Sequence, residues 1–243
     1  MKNHLIRLLF LLLFVSQGLV AEEKTEASQE ETVAAEEEKE TYIKDLVEDY
    51  EESLGFFVTY RDPESNQIFL KVSKDQLKKE FIYFAHVING VASTGKVKGS
   101  YTDEGIFKIE KDFNKLRFSR VLTNYSFDDD NPLSKSKGAN ISDSTFQVVD
   151  ILAENEEENE YLIEITGLLL SETLTPILPI YSPEGPPPGF MWGQLSPLKS
   201  RVTGVFNYEE NTDFEVEYVI ESAPSYEYES EDVADPRNVN INL

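Results

Sequence analysis

The chain has no cysteine among its 243 residues. No disulfide can staple it and no thiolate can serve as nucleophile or zinc ligand, so its core must hold the fold unaided. Histidine is almost missing as well: only His4 and His86 occur. A zinc site built on several histidines cannot be assembled from that set, the sequence contains no H-E-x-x-H, and no Ser-His-Asp constellation can be nominated. Positive charge is scarce, with 22 Lys and Arg against 46 Asp and Glu and a formal net charge of −24. Such a chain lacks the basic footprint that displaces counterions from nucleic acid. An anionic membrane surface would repel it for the same reason. Long apolar runs are also lacking. The longest near the start, Leu8–Val15, falls well short of the roughly 20 residues that a transmembrane helix needs.

What is present begins with a leader. Lys2 and Arg7 form a charged start, Leu8–Val15 an apolar centre, and Ser16–Ala21 a run of small residues suited to cleavage after Ala21. Residues 1–21 read as a signal peptide, which points to a secreted or periplasmic protein and, after cleavage, to no membrane span. Loss of Lys2 and Arg7 takes the net charge from −24 to −26. Residues 22–40 hold nine glutamates and almost nothing apolar beyond Val33. Such a segment cannot bury enough surface to offset its ordering entropy and reads as an acidic disordered linker.

The remaining residues, 41–243, read as one β-rich domain. Tyr42, Ile43, Leu46, Val47 and Tyr50 form a single apolar stripe at helical spacing. They predict an amphipathic helix over Thr41–Ser53, capped at Thr41 and stopped at Gly55. Phe56–Arg61 and Ile68–Val72 alternate at period two around Asp62-Pro63-Glu64-Ser65-Asn66, the pattern of a β-hairpin with a proline-initiated turn. Ser73 is placed to cap a short helical turn over Lys74–Lys79. Phe81–Asn89 offers few polar positions and predicts a strand buried on both faces, with His86 as a core histidine. Further hairpins are expected from Gly105–Glu110 with Leu116–Leu122, from Thr145–Leu152 with Glu160–Ile165, and from Arg201–Tyr208 with Asp213–Ile220. Gly167–Leu174 suggests a helical turn, and Val239, Ile241 and Leu243 alternate with Asn238, Asn240 and Asn242 as a last strand. Because that strand reaches the final residue, the domain is expected to continue beyond it. Short strands at regular intervals, separated by turn residues, predict a mainly β (α+β) architecture of antiparallel hairpins in a sheet or sandwich.

Three loops carry the candidates for chemistry. Ala92–Gly99 is rich in Gly, Ser, Thr and Lys but lacks the G-x-x-x-x-G-K-[ST] spacing of a phosphate loop and reads as a flexible turn. Tyr125–Ser144 contains Asp128, Asp129, Asp130 and Asn131, with Asn140 and Asp143 further on. These are the hard oxygen donors that calcium takes, with Asp128 and Asp130 as the candidates, although Pro132 breaks the EF-hand pattern. Pro183–Ser200 contains Pro186-Pro187-Pro188-Gly189-Phe190-Met191-Trp192-Gly193. Phe190 and Trp192, the only tryptophan, are candidates for binding a peptide or glycan, or else plug a hydrophobic notch. No catalytic residue and no resident cofactor can be assigned.

The blocks Gly55-Phe56-Phe57-Val58-Thr59-Tyr60, Ile68-Phe69-Leu70-Lys71-Val72, Gln76-Leu77 and Glu80-Phe81-Ile82-Tyr83 form a spaced pattern. So do Asn131-Pro132-Leu133, Tyr161-Leu162-Ile163, Asn211-Thr212-Asp213-Phe214-Glu215-Val216-Glu217 and Val233-Ala234-Asp235-Pro236-Arg237-Asn238-Val239. Together they resemble the domains of unknown function that precede the catalytic domain in a family of secreted bacterial zinc-dependent metalloproteases. The resemblance runs over about Tyr42–Leu243 and rests on structural rather than catalytic motifs. It implies a non-catalytic N-terminal module that supports or docks a downstream peptidase domain. Zinc is expected only in that absent domain. The alternative is an independent periplasmic peptide- or glycan-binding module that uses the Trp192 loop.

Overall fold

The computed structural model describes residues 42–92, 95–125, 130, 134, 141–155, 157–178, 193–222, 233–235 and 237–243. They belong to one compact unit spanning Lys39–Leu243. The leader and the acidic segment lie outside the described residues.

A single helical turn, α1 (Ile43–Leu46), precedes β1 (Glu51–Ser53), β2 (Val58–Arg61) and β3 (Ile68–Ser73). A 3-10 turn over Lys74–Gln76 leads to β4 (Glu80–His86), followed by β5 (Tyr101–Asp112) and β6 (Lys115–Arg120). Then come β7 (Ser144–Asn155), β8 (Glu160–Glu164) and a second helical turn, α2 (Thr166–Leu169). The chain ends with β9 (Gln194–Leu195), β10 (Arg201–Asn207), β11 (Thr212–Glu221) and β12 (Asn238–Asn242). Eight strands form one antiparallel sheet in the order β1-β2-β3-β8-β7-β6-β5-β4. The other four form a second sheet in which β11 is central. It pairs with β12 along one edge and with β10 and β9 in the other ladders.

The sequence pattern places the core between these sheets. Period two sends Ile68, Leu70 and Val72 of β3 to one face, with Ile163 and Tyr161 of β8 beside them in register. Val202, Val216, Tyr218, Ile220, Val239 and Ile241 of the small sheet join the same buried cluster. Full burial of one such aliphatic side chain contributes about 1.5–3 kcal/mol. The alternate residues of the large sheet, Tyr60, Phe69 and Leu162, face the opposite way and bury Ile43 and Val47. The two clusters explain why β3 and β8 carry apolar residues on both faces.

Turn chemistry fixes the first hairpin. Asp62 accepts hydrogen bonds from the Glu64 N–H (2.8 Å) and the Ser65 hydroxyl. Asn66 takes the left-handed conformation at φ +62°, which asparagine tolerates better than most residues. The same Asn66 accepts from Arg61 Nε at 2.7 Å and donates to the Val202 carbonyl at 3.1 Å, so the turn also ties the two sheets together. A second tie is Asn207. Its amide donates to Ser53 O at 2.9 Å and Thr59 Oγ1 at 3.0 Å, and its carbonyl oxygen accepts from the Thr212 hydroxyl. Gly55 passes so close to this corner that a Cβ would lie 2.6 Å from Asn207 Cβ and 2.7 Å from Tyr208 O.

Several expectations need correction. The helix expected over Thr41–Ser53 is confined to Ile43–Leu46; Glu51–Ser53 instead pair with Thr59–Arg61 as β1. The apolar stripe still does its packing, since Ile43 and Val47 are buried. The strand expected to be buried on both faces is β4, and it lies at the edge of the large sheet. Phe81 and Val87 are buried, but Ile82 is 77% exposed and Phe84 61%. His86 is exposed rather than a core residue. The last strand, β12, stands at an end of the small sheet. β12 pairs with Glu217–Glu221, and its Asn242 also exchanges backbone hydrogen bonds with Asn89.

Candidate functional site

The most unusual surface of the described molecule is β4. Its odd-numbered residues serve the fold. Phe81 packs against Phe57 and Phe107, with ring centroids 5.2 and 5.4 Å away. Tyr83 donates to Asp103 Oδ2 at 3.2 Å and lies beneath the Arg120 guanidinium. Its even-numbered residues, Glu80, Ile82, Phe84 and His86, project from the exposed face. On neighbouring β5, Tyr101 is 73% exposed and continues the stripe. Its ring centroid is 6.2 Å from that of Phe84 and 6.3 Å from that of His86. Singly exposed apolar residues are ordinary, but an apolar edge strand next to an exposed aromatic stripe is a site of association.

The groups with shifted ionisation lie elsewhere and hold the backbone. Tyr218 donates to the Leu169 carbonyl at 2.7 Å; burial raises its pKa, and the charge of Glu172 adds to the effect. Glu172 Oε1 accepts the Ile177 N–H at 2.9 Å and the Leu178 N–H at 2.7 Å. Lys96 donates to the Pro176 carbonyl at 3.2 Å. Burial lowers its pKa, and Glu172 pulls it the other way. These three side chains tie the segment after α2 to the sheets. A hydrogen-bonded backbone anchor of this kind needs no substrate to explain it.

An open groove of about 740 Å³ lies beside the first hairpin, lined by Glu51, Arg61, Asn66, Arg201 and Thr203 among others. Arg201 is held by Glu217 at 3.1 Å and Arg61 by Asn66, so both cations along the groove are already engaged.

Phe190, Trp192 and the calcium candidate Asp128 lie outside the described residues. Asp130 is exposed. Asp143, a further oxygen donor of the same loop, is taken up by Lys108 at 2.8 Å and the Leu122 N–H at 3.2 Å. The bond to Asp143 raises the pKa of Lys108. Among the described residues no group of three or more His, Cys, Asp or Glu side chains is placed to hold a metal ion. The chain has no cysteine, and among the described residues its one histidine, His86, is on the exposed edge strand β4. No described helix is long and apolar enough to cross a membrane.

No family model, curated protein or solved structure matches the chain. The apolar content of Phe81–Ile88 was the signal for β4 in the sequence. Composition marks such a strand as unusual without saying whether a neighbour covers it.

Proposed function

We propose that this chain is a secreted or periplasmic, non-catalytic β-sandwich module of a zinc-metalloprotease-like protein, supporting a peptidase domain that the chain itself does not contain. The observation that carries this reading is the use made of its ionic groups. Lys71–Glu160 (3.0 Å), Lys111–Glu154 (2.7 Å), Lys115–Asp150 and Arg120–Asp103 (2.7 Å) each join one strand of the large sheet to another. Arg201–Glu217 (3.1 Å) does the same at the small sheet, and Lys199–Glu221 (2.9 Å) ties the turn before β10 to β11. Exposed pairs of this kind contribute about 0–1 kcal/mol each, but they set register and discourage wrong pairings. A molecule whose charged side chains brace strands is suited to be a scaffold. Of the blocks that resemble the metalloprotease N-terminal domains, Ile68–Val72, Tyr161–Ile163 and Thr212–Glu217 lie on β3, β8 and β11, which these pairs brace, and the leader supports export.

The native secreted polypeptide tests the proposal. Intact-mass measurement and a zinc assay of material purified from its source are expected to find a species much heavier than the 27.7 kDa of this chain. That species should carry bound zinc and a chelator-sensitive peptidase activity. A native product that ends at Leu243, with no peptidase co-purifying, overturns the proposal.

A further inference from the structure

We propose that β4 joins two copies of this chain edge to edge, across a twofold axis through Tyr83, into one continuous antiparallel sheet. Among the described residues no strand pairs with the outer edge of β4 itself; β12 reaches that edge only beyond His86, where the Ile88 N–H donates to Asn242 O. The direction of its free backbone groups follows from its inner edge. On β5 the odd-numbered Ile109 turns its carbonyl towards the β4 side, where it accepts from Lys78 just before the strand, while the even-numbered Ile106 turns its carbonyl to Val121 on the β6 side, so odd residues of β5 face odd residues of β4. Past the strand, Val87 likewise donates to Ser100 O and accepts from Gly99. Odd-numbered residues of β4 therefore bond to β5. Glu80, Ile82, Phe84 and His86 direct their N–H and C=O groups outward, as alternation in an antiparallel strand requires. The irregularity between Ala85 and His86 inserts its extra residue, Thr102, into β5, so it leaves this alternation of β4 intact. Four consecutive outward positions are thus ready to pair.

The side chains select both the occupant and the register. An antiparallel self-pairing must match even residues with even residues, because only these offer outward groups. Centring on Tyr83 sets Ile82 opposite Phe84 of the other copy and Glu80 opposite His86, each pair occurring twice by symmetry. Apolar then meets apolar, and a carboxylate meets an imidazole that can donate to it. Sliding to centre on Ile82 sets Glu80 against Phe84 and Lys78 against His86. Sliding to centre on Phe84 sets Ile82 against His86 and Glu80 against Ile88. Centring on Ala85 would call on Ile88, whose N–H is already bonded to Asn242 O, so among these only the Tyr83 register is complementary throughout and the strand matches an inverted copy of itself.

The opposite end of the same sheet explains why such pairing stops at two. β1 is three residues long and carries Glu51 and Glu52, a short, like-charged edge that resists pairing. One permissive edge and one guarded edge give a closed dimer rather than a fibre. The association holds whether or not a peptidase domain follows, so it stands independently of the function proposed above.

The test uses the full chain in sedimentation-equilibrium and light-scattering measurements over about 1–200 µM, a range that spans common dissociation constants. A concentration-dependent doubling of the 27.7 kDa mass is expected. Glu80 and His86 are exposed, so substituting them leaves the fold intact, which circular dichroism checks. H86E sets glutamate against Glu80 in both symmetric pairs and is expected to weaken the dimer about tenfold. The double variant E80K/H86E sets lysine against glutamate in both symmetric pairs. It is expected to return the dissociation constant to within about threefold of the original. A monomer at every concentration overturns the proposal. So does a dimer indifferent to H86E, or a double variant no better than H86E, since either places the contact in another register or on another surface.

Discussion

Tyr218 shows what a buried hydroxyl does in this molecule. Its O–H donates to Leu169 O from inside the core, and burial with Glu172 nearby keeps the phenol protonated to higher pH than a free tyrosine. The folded state therefore holds a proton that the unfolded chain releases near pH 10, about the ordinary tyrosine value. This contribution to stability is complete below that pH and is lost as the pH rises through the folded-state value. Burial first, and then Glu52, raise Tyr60 in the same way. Y218F is expected to cost about 1–3 kcal/mol at neutral pH, because the Leu169 carbonyl loses its buried partner. It should also flatten the fall in stability between pH 8 and 11. Urea titrations at both pH values check this; an alkaline slope equal to that of the unmodified protein would remove Tyr218 as its cause. Asn207 gives the polar counterpart. N207A leaves Ser53 O and the Thr59 and Thr212 hydroxyls short of partners at the corner between sheets. A loss of about 2–3 kcal/mol is expected in chemical denaturation.

Among the elements, β4 and β12 form an instructive pair. β12 is apolar at alternate positions and β4 at nearly every one, yet Ile241 of β12 is fully buried and Ile82 of β4 is 77% exposed. I241A is expected to destabilise by about 2–5 kcal/mol through cavity formation between the sheets. I82A should change monomer stability by less than about 0.5 kcal/mol. Denaturation midpoints of the two variants at low protein concentration check the contrast; equal losses would mean that β4 is covered in solution. The hairpins themselves were legible because turn residues and period-two alternation are local signals. Asp62–Asn66 marked the first and Glu209–Thr212 the last, and β2–β3 and β10–β11 stand where those signals put them. The N-terminal helix was less legible. Its apolar stripe belonged to residues that pack, but Glu51–Ser53 had β2 available as a partner, and pairing with it ended the helical turn early.

At the scale of the whole molecule the net charge of −24 acts against compaction. Like charges on one surface repel over roughly a Debye length, about 10 Å at 0.1 M salt. Raising NaCl from 10 to about 150 mM is therefore expected to raise the melting temperature by a few degrees. Differential scanning calorimetry checks the sign. A fall would show that the cross-strand ion pairs, which salt also screens, outweigh the self-repulsion.

The amino-acid sequence by itself determined composition, charge, the turns and the period of each strand, because these depend on neighbours along the chain. It thereby set a mainly antiparallel β architecture and excluded a multi-histidine zinc site. The tertiary structure alone decided which strands are neighbours. Period two tells a strand which face is apolar, but not whether another strand lies beside it or another sheet above it. Only the pairing order sends Ile241 into the core and leaves Ile82, Phe84 and His86 at an edge. That order depends on contacts between residues far apart in the chain, such as Asn89 with Asn242, and no local pattern encodes them.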